Sequence, residues 1–420
     1  MRILFFIYNF LMFIVILILF PFYFVRAYLT GKDKHGLFQR IGFIPEKIFT
    51  KKKYIWVHAV SAGEAKVAVP IIKKLKINNN IAVSVGTETG YKMIKEHFED
   101  QVDLFYMPVD FFFFLNRLFK IIKPESIVIV ETEIWPQLIR LAYNKNIPIF
   151  LINGRMPPRD YKNYKYFRFL WKHIFRMYTR ILVTNNKEKI KFKKCGAEED
   201  LVEVFGNIKF DIYEKKDNIN RIEKIKKLLS KRSNQKPLLV VGSTHKNEEE
   251  IIFDDIFNIQ KDFDLILAPR HLTRISEVEN IIDNYGLKHE LRSSENLSWK
   301  NDIVLWDTMG ELDVLYKFAD VVIVGGSWID QGGHNIIEPA IWGVPIIVGP
   351  YMYNFQQEFN IFKKENAIIQ AEKGEIGKNL NKLLNDKKLR RKYSRNLKKC
   401  IDQSKGAVEK YIKEIQKMIE

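Results

Sequence analysis

The chain has 420 residues, 47% of them hydrophobic, and a formal net charge of +18. That length exceeds one ordinary core and fits two domains, and the apolar fraction argues against a disordered chain. The charge calls for an anionic partner, whether nucleic acid, an acidic membrane surface or a phosphorylated substrate. Cys195 and Cys400 lie too far apart for a disulfide framework or a metal-ligand spacing and fit a reducing compartment.

The first element is an apolar run, "ILFFIYNFLMFIVILILFPFYFV" (residues 3–25), with no charge and one Asn. It is long enough to cross about 30 Å of hydrocarbon, and no small-x-small cleavage site follows. The residues after it are basic: Arg26, Lys32, Lys34, Arg40 and Lys51 to Lys53. The expectation is a membrane anchor over residues 1–30, spanning or lying along the inner leaflet, with the rest of the protein on the cytoplasmic side. A buried helix of a soluble domain is the alternative, although such helices are usually shorter.

Over residues 31–210, continuous apolar runs such as "YIWVHAV", "IAVSVGT", "SIVIVET" and "IPIFLING" alternate with amphipathic helical stretches. Fully apolar strands separated by helices indicate a parallel sheet covered on both faces. Residues 211–236 are polar and lysine-rich and read as an interdomain passage. The alternation restarts over 237–400 with "PLLVVGST", "DLILAPR", "DVVIVGGS" and "VPIIVGP", and a helix closes the chain over 401–420. The fold class is α/β, two Rossmann-like doubly wound domains facing a cleft. The "FFFF" at Phe111 to Phe114 either packs under the sheet, touches membrane or binds an acyl chain.

Ligands of open α/β sheets bind beyond the carboxyl ends of the strands, so the chemistry is sought in the loops that follow them. In the second domain those loops carry Ser243, Thr244 and His245; Arg270 and His271; Gly310 and Glu311; and Gly325-Gly326, Gly332-Gly333, His334, Asn335 and Glu338. Glycines let backbone N–H groups approach an oxyanion, a helix beginning near Asn335 offers its positive end, and a guanidinium suits phosphate. Glu338 is able to accept from sugar hydroxyls. The set describes a pocket for a sugar-bearing nucleotide. The acidic run Glu248 to Glu250 reads as the exposed first turns of a helix rather than a metal site with His245. "DFD" (Asp262 to Asp264) enters a strand at the end away from the cleft and reads as a solvated loop.

In the first domain the polar strand ends are Ser61-Ala62-Gly63-Glu64, "GTETG" (Gly86 to Gly90), "ETEIWP" with Glu131 and Glu133, and "NGRMPPR" with Arg155. Glycosyl transfer to a hydroxyl needs a general base, and Glu64 stands in the first turn of a helix, where the dipole tends to lower its pKa. A charge that merely complements that dipole is the plainer reading. A nucleophile elbow is disfavoured, since Ala59 replaces its first glycine.

Taken in order, "WVHAVSAGEAKVAVPII", "ETEIWPQLI", "GSTHKNEE", "LAPRH", "DTMGEL" and "GGHNIIEPA" resemble the 3-deoxy-D-manno-octulosonic acid (Kdo) transferases of lipopolysaccharide synthesis, from the N-terminal run to about Phe355. The resemblance implies a GT-B fold and inverting, metal-independent transfer of Kdo from CMP-Kdo to the lipid A precursor at the cytoplasmic face of the inner membrane. It makes Glu64 the base. Ser243, Thr244, His245, Arg270, Gly310, Glu311, Asn335 and Glu338 fall at donor-binding positions, with His271, Gly332 and Gly333 beside them. Glu131 and Glu133 lie on the acceptor side, with Gly63 and Arg155 nearby. The Pro157-Pro158 pair departs from the family pattern in the "NGRMPPR" loop. No cofactor is expected, and the partners are CMP-Kdo, the lipid A precursor and an anionic lipid surface. A GT-B transferase or epimerase using a UDP-sugar is the enzymatic alternative. Nucleic acid is not expected, because the basic residues lack the aromatic interleaving of a recognition motif.

Overall fold

The computed structural model describes residues 2–30, 36–49, 51–212, 219–232, 236–257, 259, 262–294 and 297–419, without the side chains at 23, 26, 27, 30, 158 and 159. Lys32, Lys34 and the Arg26 side chain therefore lie outside the described residues, as do 213–218 and 233–235 of the lysine-rich passage. The chain forms two compact units, Met1–Ile212 with Lys405–Glu420, and Tyr213–Ser404.

The first unit is built on seven parallel strands: β1 (Tyr54–Ala59), β2 (Ile81–Val85), β3 (Asp103–Tyr106), β4 (Pro124–Val130), β5 (Ile149–Gly154), β6 (Arg180–Val183) and β7 (Val202–Val204). They lie in the order β3-β2-β1-β4-β5-β6-β7. Every residue of β1 is buried because helices cover both faces. Alternation sends Tyr54 and Trp56 into one core cluster, while Ile55, Val57 and Ala59 enter the other with Val67, Ile71 and Ile72 of the helix Ala62–Leu75.

The N-terminal run forms one helix, Arg2–Thr30. Its segment Arg2–Phe22 is long and apolar enough to cross a bilayer, with a mean hydropathy of 2.9. One stripe is docked on the unit. Tyr8 Oη donates to Asp110 Oδ2 at 2.7 Å, and the Asp110 carboxylate also accepts from the amides of Gln137 and Leu138. Asn9 donates to Gln137 Oε1 and accepts from the Phe112 amide. The "FFFF" run is divided: Phe111 is buried and stacks on Phe13 at 6.3 Å, whereas Phe113 is 69% exposed.

The second unit repeats the plan with β8 (Leu238–Thr244), β9 (Asp264–Pro269), β10 (His289–Leu291), β11 (Ile303–Leu305), β12 (Val321–Val324), β13 (Ile346–Val348) and β14 (Ile368–Gln370). Their order is β10-β11-β9-β8-β12-β13-β14, all parallel. In the lysine-rich passage the helix Ile219–Leu229 buries Ile225 and Leu229. The charged C-terminal region is three helices, Ile376–Asn385, Lys387–Ser404 and Ala407–Lys417.

The last of these belongs to the first unit and is capped from a distance. The Asp211 carboxylate accepts from the amides of Gly406 (2.8 Å) and Val408 (2.9 Å), and Tyr411 Oη donates to the Gly206 carbonyl at 2.9 Å. Removing a side chain that satisfies helix N-terminal amides costs about 1–2 kcal/mol. Asp211→Ala is expected to lower Tm by several degrees in thermal unfolding, and Asp200→Ala, at an exposed acid, to leave it unchanged. Equal Tm values for Asp211→Ala and the parent would contradict the capping role.

Candidate active site

Each sheet has one place where successive connections leave in opposite directions. In the first unit it lies between β1 and β4, and in the second between β8 and β12. Loops at such a switch point diverge and leave a crevice at the carboxyl ends of the strands. The candidate residues Glu64, Glu131 and Glu133 follow β1 and β4, while Ser243 and Thr244 end β8, His245 follows it, and Gly325 onward follows β12.

Ser61 caps the helix Ala62–Leu75 in a capping box: its Oγ accepts from the Glu64 amide at 3.3 Å. The Glu64 carboxylate turns back, accepting from the amides of Val60 (2.5 Å) and Ser61 (3.3 Å) and from Ser61 Oγ (3.0 Å). The "GTETG" loop closes on the same turn, because the Gly86 and Thr87 amides both donate to the Val60 carbonyl, at 2.9 and 3.0 Å. A Cβ at Gly86 would stand 2.5 Å from Val60 Cγ1, so only glycine allows this approach. Gly63 fills the second position of the helix.

The helix dipole favours a low pKa for Glu64, and its surroundings reverse that preference. Burial raises its pKa more than the Val60 and Ser61 bonds lower it, and the Glu131 charge adds to the rise. Glu133 is pushed up to about 7 by burial, then by the Glu64 charge, against the Trp135 hydrogen bond. Glu131, held at φ +60° just beyond β4, is buried and paired with Arg155 through Nε (3.0 Å) and Nη2 (2.9 Å). Three carboxylates therefore occupy three electrostatic settings: one held by amides, one neutralised by arginine, and one that retains a proton near neutrality. Beyond Arg155, Pro157-Pro158 opens the helix Pro158–Tyr166, a position that suits proline's fixed φ.

The sequence reading passed over His58, which is wholly buried beside this cluster. Its Nδ1 lies 2.7 Å from Ser84 Oγ, and its ring meets Trp135 edge-on at 5.0 Å. Burial drives its pKa down to about 3, so the ring is neutral. Its place in β1 on the Trp56 face was the available signal.

In the second unit Ser243 has φ +62°, and Gly325 closes on it so tightly that a Cβ there would stand 2.7 Å from the Ser243 carbonyl oxygen. The imidazoles of His245 and His334 stack at 4.9 Å with their Nε2 atoms 2.7 Å apart, and His271 meets His245 edge-on at 5.4 Å. Burial lowers His334 to about 4, helped by Arg270, His245 and His271. Burial also lowers His245, followed by His271, Arg274 and Arg270. The pair is uncharged at neutral pH, with one ring donating to the other. Arg270 is exposed and its charge acts on both rings, so a guanidinium suited to an anion stands near the pair.

One expectation fails here. Glu248 and Glu249 are fully buried rather than solvated. The Glu248 carboxylate accepts from the amides of Gly326 (2.6 Å), Ser327 (2.9 Å), Trp328 (3.0 Å) and His245 (3.2 Å). The glycine turn does form an anion nest, as its composition suggested, but the anion is this internal glutamate. Glu249 accepts from Thr244 Oγ1 and pairs with both Arg274 Nη atoms.

Other candidates are engaged within the protein. The Glu311 carboxylate accepts from Arg292, Thr308 and Lys224 at 2.7–3.0 Å, and the Gly310 carbonyl accepts from Arg221. Asn335 Nδ2 donates to Glu338 Oε1 at 3.0 Å, just ahead of the short helix Ile337–Trp342. Gly332 and Gly333 take φ of +83° and +76°, and the Gly333 amide donates to the Gly326 carbonyl at 2.7 Å. In "DFD", Asp262 pairs with Lys236 and Asp264 with Arg232. Among the described residues no group of three or more His, Cys, Asp or Glu is placed to hold a metal ion.

Two family models match: 3-deoxy-D-manno-octulosonic-acid transferase (kdotransferase) over residues 35–212, and glycosyl transferases group 1 over 211–400. The chain is 30% identical over 350 residues to the 3-deoxy-D-manno-octulosonic acid transferase of Aquifex aeolicus, covering 82% of this chain and 90% of that one. It is 35% identical over 311 residues to a bifunctional glycosyltransferase/methyltransferase of Fusobacterium nucleatum, covering 72% of this chain. It spans about half (48%) of that relative's length. Anabaena HepE, solved in complex with UDP, matches with a TM-score of 0.61 at 12% identity, over 88% of this chain and 100% of that one, a likeness of fold. The fold is thus GT-B, and the chain is a glycosyltransferase that belongs to the 3-deoxy-D-manno-octulosonic acid (Kdo) transferase family.

Proposed function

We propose that this protein transfers Kdo from CMP-Kdo to the acylated sugar precursor of lipid A, with inversion, in lipopolysaccharide synthesis. It would act at the inner-membrane surface that presents this lipid, with the N-terminal helix as its anchor. The observation that carries the reading is Glu64, a carboxylate set at the first sheet's switch point by three hydrogen bonds and raised in basicity by burial. Glu64 takes the proton of the acceptor hydroxyl as its oxygen attacks the anomeric carbon. The bond from that carbon to the phosphate oxygen breaks, and CMP leaves carrying the charge. Arg270, beside His245 and His334, meets that charge, and the step requires no metal ion. Glu133 holds a proton near neutrality and keeps a second negative charge away from Glu64, while Arg155 neutralises Glu131.

Loss of a general base costs roughly 10²–10⁴-fold. With CMP-Kdo and the acceptor in EDTA, Glu64→Gln is expected to lose transfer on that scale and to bind CMP as the parent does. Retained activity, or activity that appears only with added Mg²⁺, would contradict the mechanism.

The histidine pair supplies a pH test. Negative charge bound beside His334 and His245 raises their pKa values above those of the empty site. The liganded form then takes up protons, and affinity for CMP rises as pH falls from 8 towards 5, by at most about tenfold per unit for each proton. In His334→Gln the slope is expected to be shallower, and the difference between the two proteins removes the ligand's own titration. Identical slopes would place the anion elsewhere.

A further inference from the structure

A cavity of about 580 Å³ lies within the first unit. Val15, Ile16, Leu19 and Phe20 of the N-terminal helix form one wall, and Ile41 and Val109 line the cavity beside Arg40. The remaining lining is the loop Gly86–Thr89. The size is that of a small-molecule site, and the lining combines apolar side chains with the polar groups of Arg40 and Thr87–Thr89.

Three features say what would occupy it. First, the helical wall is held in place: Tyr8 bonds Asp110, Asn9 bonds Gln137 and the Phe112 amide, and Phe13 stacks on Phe111. Residues 15–20 therefore continue over the Gly86–Thr89 loop from a docked base. Second, the same helix exposes Leu17 and Ile18, at 61% and 64%, so one element presents apolar side chains both to the cavity and to its surroundings. A chain leaving a hydrocarbon phase enters such a slot without crossing a polar barrier. Third, the loop Gly86–Thr89 adjoins the turn that carries Glu64. The Gly86 and Thr87 amides bond the Val60 carbonyl, and the Val60 amide bonds the Glu64 carboxylate.

We propose that this slot takes one fatty acyl chain of the acceptor lipid, with the sugar to which it is attached lying against Gly86–Thr89 beside Glu64. The assignment rests on the reading of the acceptor as an acylated sugar. The hydrocarbon fills the space between Leu19 and Val109, and the Thr87 and Thr89 hydroxyls and Arg40 meet the polar group at its head. Selection for an acylated acceptor follows, because a deacylated sugar leaves the slot unused.

The test narrows the slot from each side with Leu19→Trp, at a position 56% exposed and so tolerant of a larger ring, and Val109→Trp. Leu17→Trp, outside the lining, is the control. The KM for the acylated acceptor is expected to rise at least tenfold in both slot variants, with kcat little changed and transfer to the deacylated acceptor unaffected. Equal effects on both acceptors, or none on either, would overturn the proposal. A second readout needs no donor and stands apart from the proposed reaction: crosslinking by an acceptor lipid with a diazirine in its acyl chain. Labelling of residues 15–20 and 41 or 109 is expected, reduced about tenfold in the slot variants and unchanged in Leu17→Trp. Labelling confined to Phe112 and Phe113, or equal labelling by a diazirine phospholipid, would overturn the acceptor assignment. Absence of Kdo transfer by the parent protein, with the slot still labelled, would fail the proposed reaction and leave the slot standing.

Discussion

A buried carboxylate must be met by hydrogen bonds or it does not stay ionised, and each unit of this protein places one at its switch point. Both glutamates stand in the first turn of the helix that follows the first strand of their sheet. Glu64 is met by amides of its own turn, Val60 and Ser61, which leaves it poised where β1 ends. Glu248 instead reaches the loop after β12 and accepts from three successive amides, Gly326 to Trp328. The first arrangement keeps a carboxylate available to serve as the proposed base. The second ties two adjacent strand ends together and fixes the loop that carries His334.

The two units divide charge in a way that suits glycosyl transfer from a nucleotide. Carboxylates gather at the first switch point, with one pushed to a pKa of about 7. At the second, Arg270, Arg274 and three imidazoles surround the strand ends, and burial, helped by the nearby guanidinium groups, lowers the pKa values of His245 and His334. Neutral rings beside an arginine form a site whose positive charge grows when an anion arrives. In the proposed reaction that property would serve to hold a phosphate and stabilise it as it leaves.

Much of this was legible in the sequence, and the limits have physical causes. Strands buried on both faces read as unbroken apolar runs, so nearly all of both sheets could be placed. The short edge strand β10 (His289–Leu291) could not, because its residues are only half-buried. Switch-point loops could be found as polar residues following those runs. Pairing across the fold could not, and Glu248 shows why: three adjacent glutamates look solvated until their distant partners are known, loop amides for Glu248 and Arg274 for Glu249. Glu311 shows the converse, since its cationic partners Lys224 and Arg292 lie far from it along the chain. The rise in Glu64 basicity was likewise hidden, because the dipole of its helix is a local property and its burial is not. The acyl-sized slot depends on where the N-terminal helix docks, which Tyr8 and Asn9 decide through distant partners.

The central claim is the transfer itself: a Kdo unit leaves CMP-Kdo and joins the acylated lipid A precursor. Mass spectrometry of the lipid after incubation with the full chain tests donor, acceptor and number of units together. An increase by one or more Kdo units, dependent on CMP-Kdo, is the expected result. An unchanged lipid with CMP-Kdo, alongside transfer from a UDP-sugar, would contradict it.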